Sequence, residues 1–230
     1  MKLVSIVIPA YNEEETIGMV LDDLFKTLKR MKGYHFETIV VDNNSTDKTA
    51  AIAKQKGAAV LHEQKKGKGN ALKAGFAGTR GDMIIMMDAD YSHRPEDIPF
   101  FLKKIEGGNG LVIGSRITGG SEEYTSIRSF GNIMLTAAFT TLFGISFTDV
   151  LNGYKAFRKE LIKNYEYHSS DFQIEIELVA NALRAGYQIA EIPSHERIRA
   201  GGKMKSMALV HGPKFLYRII KEGIKYRTGL

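Results

Sequence analysis

The chain opens with a run of apolar residues that alternates little. Leu3 to Ile8 is rich in valine and isoleucine, the pattern of a strand buried on both faces. Pro9 to Glu13 breaks it. From Thr16 to Met31 the period changes, and Ile17, Val20, Leu21, Leu24, Phe25 and Leu28 recur at helical spacing, so one stripe of a helix faces a core. The same events then repeat. Phe36 to Val41 reads as a strand, Thr49 to Lys56 as a helix and Ala59 to Leu61 as a short strand. Asn70 to Thr79 follows as a helix and Asp82 to Met87 as a fourth strand. Strands alternating with helices predict an α/β fold, a mostly parallel central sheet with helices on both faces.

The second half is less regular. Pro95 to Ile105 predicts a helix with Pro95 in its tolerated first turn. Leu111 to Gly114 reads as a strand, Gly119 to Ser126 as a polar loop and Arg128 to Leu142 as a helix apolar on most faces. Tyr154 to Phe157 returns to the sheet, Phe172 to Ala185 is a helix carrying Glu175 and Glu177, and Tyr187 to Ile192 is a last strand. Leu209 to Lys225 is an amphipathic helix. Residues 1–205 form one domain, and 206–230 add a basic helix that either docks on that domain or lies at a membrane surface.

In such sheets ligands bind at the carboxyl ends of strands. Polar clusters stand there three times, at Tyr11 to Glu13, Asp42 to Asp47 and Asp88 to Asp90. The last is the most informative. Met83 to Met87 is continuously apolar, and Asp88 and Asp90 follow at spacing i, i+2, which shares a face if the strand continues. Two carboxylates this close repel unless a cation lies between them. A hard divalent ion, Mg²⁺ or Mn²⁺, suits oxygen ligands and keeps positions open for waters and phosphates. The plainer reading is a polar turn after a strand.

Each other cluster has two readings. Tyr11 can stack on a base or ribose and Glu13 can accept from a base edge, or Glu13, Glu14 and Glu15 simply favour a helix N-terminus. Ser45 or Thr46 caps the next helix, which leaves Asp42 at the strand end for a ribose or base donor. Lys65, Lys66 and Lys68 interleave with Gly67 and Gly69, either a solvated face or a phosphate contact that glycine lets approach closely. Arg116, Arg128, Arg197, Arg199 and Lys205 are spread through the irregular half. Arginine forks match phosphate oxygens.

Composition narrows the classes. Without cysteine, disulfides and thiolate metal sites are excluded. A formal net charge of +6 over 230 residues favours anionic partners, whether nucleic acid, lipid or phosphorylated substrate. No signal-peptide pattern follows Met1, and the weakly polar stretch Ile133 to Phe147 is shorter than the roughly 20 residues of a membrane span. The expected location is cytoplasmic. A nicotinamide or flavin enzyme is disfavoured, since no glycine fingerprint follows the first strand. A basic RNA-binding domain rests on charge alone, without a recognition signature, so nucleic acid is not an expected partner.

Taken together these residues resemble the family 2 glycosyltransferases of the GT-A fold, and within them the dolichyl-phosphate mannosyl- and glucosyltransferases. Val7 to Glu13 resembles the opening strand and nucleotide loop, Val40 to Asp47 the second loop, Gly67 to Leu72 the third, and Met87 to Asp90 the metal-binding Asp-x-Asp. Gly114 to Arg116, Asp149 to Lys155 and Arg197 to Lys205 resemble the polyprenyl-phosphate branch. The resemblance implies that Pro9, Tyr11, Glu13, Asp42 and Asn44 hold base and ribose, with Lys68 and Asp88 also on the nucleotide. Asp88 and Asp90 would hold Mg²⁺ or Mn²⁺ on the diphosphate. Arg116, Arg128, Arg197, Arg199 and Lys205 would meet donor and acceptor phosphates, with Asp90, Arg116 and Arg128 closest to the chemistry. Two departures stand out. Many relatives carry Gln two residues after the second Asp as a further metal ligand, where this chain has Ser92, and many end in transmembrane helices or a second domain that this sequence lacks.

The implied reaction is inverting transfer of a hexose from a nucleotide-diphosphate sugar, GDP-mannose before UDP-glucose, to a polyprenyl phosphate. A family 2 transferase with a soluble acceptor is the alternative. A phosphate monoester is largely dianionic at neutral pH, its second pKa being about 6, and needs no strong base, consistent with no His–carboxylate pair standing out. Such an acceptor lives in a bilayer, so peripheral contact on the cytoplasmic face is expected. The tail has Leu216, Ile219, Ile220 and Ile224 beside Lys214, Arg218, Lys221 and Lys225, an apolar stripe next to a basic one. Ile133, Leu135, Phe139 and Leu142 offer a second contact.

Overall fold

A computed structural model describes every residue except Tyr124, Tyr165, 202–207 and Leu230, and leaves out the side chains of Ser126 and 208–210. The first half follows the predicted alternation: β1 (Lys2–Ala10), α1 (Ile17–Leu28), β2 (Tyr34–Asp42), α2 (Thr49–Gln55), β3 (Ala59–His62), α3 (Lys68–Gly78) and β4 (Met83–Met86). A 3-10 turn at Pro95–Asp97 leads into α4 (Ile98–Glu106), then β5 (Leu111–Ser115), a one-turn α5 (Arg116–Gly119) and α6 (Ser126–Phe143). β6 (Lys155–Arg158), α7 (Glu160–Lys163), α8 (Ile174–Arg184), β7 (Ile189–Pro193) and α9 (Ala208–Thr228) complete the described chain.

These seven strands form one sheet in the order β3-β2-β1-β4-β6-β5-β7. β1 pairs in parallel with β2 and β4, so their carboxyl ends share one edge. β6 alone runs antiparallel, between β4 and β5. Side chains alternate across the pleat, and both faces of the central strands are covered. Ile6, Ile8, Ile85 and Val112 meet α1 and α4 through Leu21, Leu24, Phe101 and Leu102. Val7, Val41, Ile84 and Ile113 meet the face covered by Leu72, Phe139, Val179 and Ile219, from α3, α6, α8 and α9.

Local chemistry sets several boundaries. α3 begins two residues before its predicted start, with Lys68 at its first position after Gly67 at φ 123°. α6 also starts earlier, because the Thr125 hydroxyl accepts the N–H of Arg128 at 3.4 Å. α5 forms just before the predicted polar loop, overlapping it at Gly119, with the Ser115 hydroxyl accepting from Thr118. β4 stops at Met86, so Asp88 and Asp90 stand on a turn and not on a continuing strand face.

The tail divides its apolar residues. In α9 Phe215 and Ile219 are buried in the core, whereas Leu216, Ile220 and Ile224 are exposed. Arg218 leaves the expected basic stripe, since it pairs with Glu177 at 2.6 Å and Glu222 at 3.2 Å. In α6 Phe139 is buried and Leu135 and Leu142 pack against the core. Its exposed apolar positions are Ile127, Phe130, Ile133 and Met134. Among the described residues no helix is long and apolar enough to cross a membrane.

Candidate active site

The loops after β1, β2 and β4 are tied together at the sheet edge. Asn12 accepts the N–H of Thr46 at 2.8 Å and gives its own N–H to Ser45 at 3.0 Å. Glu13 N–H reaches Thr49 Oγ1 at 2.8 Å, and Glu14 N–H reaches Asp47 at 3.1 Å. The Thr16 hydroxyl lies 2.7 Å from the carbonyl of Ala89, joining the first loop to the third. Among the described residues Asn12, Asn44 and Tyr91 are the non-glycine ones with positive φ, at 49°, 62° and 71°, one in each loop. Such conformations are costly and persist where the surroundings impose them, often at functional sites.

Above this edge lies a cleft of about 420 Å³. At its floor Lys68 Nζ lies 2.6 Å from Asp88 and 2.7 Å from Glu175. Burial pulls the ammonium pKa down, but Asp88 and then Glu175 outweigh it and hold it above the usual lysine range. Burial would raise the Asp88 carboxyl, but Lys68 and then His93 hold it well below the carboxylate range. This cluster needs two close approaches. A Cβ on Gly69 would lie 2.5 Å from the carbonyl of Ser169, and one on Gly153 would lie 2.8 Å from Lys68 Nζ and 3.1 Å from both Asp88 Oδ2 and Glu175 Oε1. Only glycine keeps that notch open. Asp90 meets Arg199 at 2.8 Å.

Pro9, Tyr11, Glu13, Lys68, Asp88, Asp90, Arg116, Arg128 and Arg199 all line the cleft. Lys66 sits over the Tyr11 ring at 5.0 Å. Asp42 and Asn44 are not among the lining residues. Asp42 already accepts the N–H of Ser45 at 3.3 Å and meets His62 at 3.1 Å, which accounts for it without a ligand. Its neighbour Asn43 faces the cleft instead and pins the basic loop, giving its amide to the carbonyls of Glu63 and Lys65 and accepting from Gly67. Arg197 also lies outside the lining. Its guanidinium meets Asp23 at 3.0 Å and the His93 carbonyl at 2.8 Å and stacks 4.2 Å from the Tyr91 ring, making it a strut behind the Asp88–Asp90 turn. Arg116 is buried, with Asp149 at 2.7 and 2.9 Å and Glu196 at 3.3 Å. Lys205 lies outside the described residues.

Ser92 gives its hydroxyl to Asp90 Oδ1 at 2.6 Å, so it orients that carboxylate. The fold also makes a His–carboxylate neighbourhood that the sequence did not display, since His93 lies against Asp88. Glu175 and Lys155 escaped sequence reasoning as well. Their signal was a charge inside an apolar element, and both are buried. Burial pulls the Lys155 pKa down to about 8 against the attraction of Glu175 and Asp149.

A mostly parallel sheet with an acidic turn after its central strand, facing a cleft lined by carboxylates and cations together, is a GT-A-like fold. The chain belongs to glycosyl transferase family 2, which matches residues 5–166. A dolichyl-phosphate hexose transferase of Haloferax volcanii is 33% identical over 197 residues, 86% of this chain and 84% of the relative. A dolichol-phosphate mannosyltransferase of Pyrococcus furiosus is 32% identical over 232 residues, 95% of this chain but 64% of the relative, so this chain spans less than two thirds of its length. A solved glucosyl-3-phosphoglycerate synthase of Mycobacterium tuberculosis, in complex with Mn²⁺, UDP and phosphoglyceric acid, has a TM-score of 0.76 at 23% identity, covering 96% of this chain and 78% of that one. That last likeness is one of fold.

Proposed function

We propose that this glycosyltransferase moves a hexose from a nucleotide-diphosphate sugar, GDP-mannose before UDP-glucose, to a polyprenyl (dolichyl) phosphate, with inversion. The observation that carries the reading is one cleft holding Asp88 and Asp90 together with Lys68, Arg128 and Arg199; these cations pair with Asp88 and Glu175, with Glu123 and with Asp90, and phosphate groups would compete for them. The dolichyl-phosphate relatives support the acceptor class. An acceptor phosphate oxygen attacks the anomeric carbon, and the bond from that carbon to the diphosphate breaks. The nucleoside diphosphate leaves, and one displacement inverts the centre. Pro9, Tyr11 and Glu13 take the base and ribose in this reading, and Asn43 replaces Asp42 and Asn44 as the facing side chain of the second loop.

The residues fit a divalent ion carried on the donor. Asp88 and Asp90 offer hard oxygens beside the notch left by Gly153. Among the described residues no group of three or more acidic, His or Cys side chains could hold a metal alone; Asp88 and Asp90 would hold the ion, and its remaining ligands would be diphosphate oxygens and water, as Mg²⁺ prefers. When bound, the ion neutralises the leaving diphosphate. Lys68 holds Asp88, Arg199 and Arg128 meet phosphate charge, and Arg116 acts through Asp149 and Glu196 as a positioning residue.

Approach to the membrane is peripheral. The helices α6 and α9 both wall the cleft and both expose large apolar residues, among them Phe130 at 66% and Ile224 at 54%. The test is a panel of nucleotide sugars against a polyprenyl phosphate in vesicles and against soluble phosphate acceptors, with Mg²⁺ or Mn²⁺ and with chelator. Transfer to the lipid phosphate that needs metal is expected. Transfer to soluble acceptors alone would replace this acceptor with the soluble one.

A further inference from the structure

The turn from Met87 to Arg94 folds its second half onto its first. Ser92 gives its N–H and its hydroxyl to Asp90 Oδ1 at 3.1 and 2.6 Å. His93 accepts the N–H of Asp88 on Nδ1 at 3.0 Å. Tyr91 stands between them at φ 71°. The imidazole is buried and stacks on the Tyr154 ring at 4.7 Å with 10° between planes. Tyr154 is itself fixed, fully buried with its hydroxyl donated to the Arg94 carbonyl at 2.9 Å. The ring has little freedom to turn.

Acceptance at Nδ1 decides the tautomer. A neutral imidazole that accepts there carries its proton on Nε2. His93 lines the cleft, and Nε2 lies 4.0 Å from Asp88 Oδ2, too far for a hydrogen bond. A fixed N–H donor therefore stands in the cleft beside the Asp88 carboxylate. Nothing in the transfer chemistry asks this histidine to move a proton, since the acceptor is already anionic.

We propose that His93 is a positioning residue for the donor diphosphate, holding the Asp88 backbone through Nδ1 and donating Nε2–H to a phosphate oxygen. This rests on the transferase reading. Partners of this kind around a metal site are worth about 10- to 100-fold in affinity or activity.

Two measurements test it on the full chain. The first uses ¹⁵N-labelled protein to read the His93 tautomer and the exchange rate of the Asp88 amide. The second is calorimetric titration with GDP and with UDP in the presence of Mn²⁺, on the parent and on His93→Asn, His93→Gln and His93→Phe. Asn keeps an acceptor near Nδ1 without a donor at Nε2, Gln carries an amide to the Nε2 position, and Phe keeps the stacked ring with neither. The parent ring is expected protonated at Nε2. His93→Asn should retain the slow Asp88 amide but bind the diphosphate about 10- to 100-fold more weakly. Gln should recover part of that binding, and Phe should lose both the binding and the slow amide. A parent ring protonated at Nδ1 overturns the proposal. So does a His93→Asn protein that binds like a competent parent, and that result leaves the transferase reading intact. A parent that binds neither GDP nor UDP overturns the transferase reading and the donor contact with it.

Discussion

The ammonium of Lys68 lies 2.6 Å from Oδ1 of Asp88. Lys68 and Asp88 are half-buried, whereas Glu175, which shares the same ammonium at 2.7 Å, is buried. Removing one partner of a buried pair leaves the other uncompensated, at a cost of about 3–5 kcal/mol. Lys68→Met is therefore expected to lower the urea midpoint markedly and to weaken nucleoside diphosphate binding. An unchanged midpoint would mean that solvent reaches the two carboxylates freely.

Asp88→Asn and Asp90→Asn each remove a hard oxygen charge from the turn while keeping its shape. Metal-held charge in a transition state is worth several kcal/mol, so transfer should fall by roughly 100-fold or more. The far-ultraviolet circular dichroism of both variants should match the parent. Full transfer by both variants in chelator would sink the metal role.

The arginines should separate into two behaviours. Arg128 and Arg199 line the cleft, so Arg128→Ala and Arg199→Ala should raise KM for the lipid phosphate more than they weaken nucleotide binding. Arg197 braces the turn through Asp23 and the His93 carbonyl, so Arg197→Ala should lower the melting temperature and donor binding together. Acceptor KM and melting temperature, measured on all three, decide this. Identical profiles would contradict the split.

Lys155 gives a pH signature. Its folded pKa is depressed to about 8 from 10.5, so between those values the unfolded chain binds more protons and stability rises with pH. Below pH 8 both states are charged and the penalty is constant, and above 10.5 it is gone. Lys155→Met removes the penalty, and its stability advantage over the parent should be largest below pH 8, on the order of 3–4 kcal/mol before lost hydrogen bonding. Denaturant titrations from pH 7 to 10.5 read the difference. An advantage that does not shrink with pH would show that the lysine is charged at no cost.

Peripheral contact should depend on the exposed apolar residues of α6 and α9. The protein is expected to sediment with anionic vesicles at low salt and to be released by high salt, each basic residue near the surface contributing about 1 kcal/mol. Phe130→Glu with Ile224→Glu should abolish sedimentation while leaving nucleotide binding unchanged, because both side chains are exposed. Indifference of the intact protein to vesicles would favour a soluble acceptor.

Periodicity alone carried much of this architecture. Strands β1 to β4 and the helices between them follow from where the apolar period changes, because a strand buried on both faces and an amphipathic helix bury different sequence patterns. The Asp88–Asp90 turn, the basic stretch at Lys68 and the arginines of the second half were also visible as residues at strand ends and in loops. What the order of residues could not carry was pairing across the fold. β6 enters between β4 and β5 in the antiparallel sense, a choice of neighbour that four apolar-flanked residues do not specify. Glu175 reaches Lys68 from 107 positions away, and its meaning depends on the notch at Gly153. The tertiary structure also gives like residues different partners. Asp42 and Arg197 have the right chemistry for a ligand, yet His62 and Ser45, and Asp23 and the His93 carbonyl, already satisfy them. The sequence determines which charges are available and on which elements they stand; only packing decides which of them are neutralised by one another and which face a cleft, because the cost of an unpaired buried charge is settled by neighbours in space.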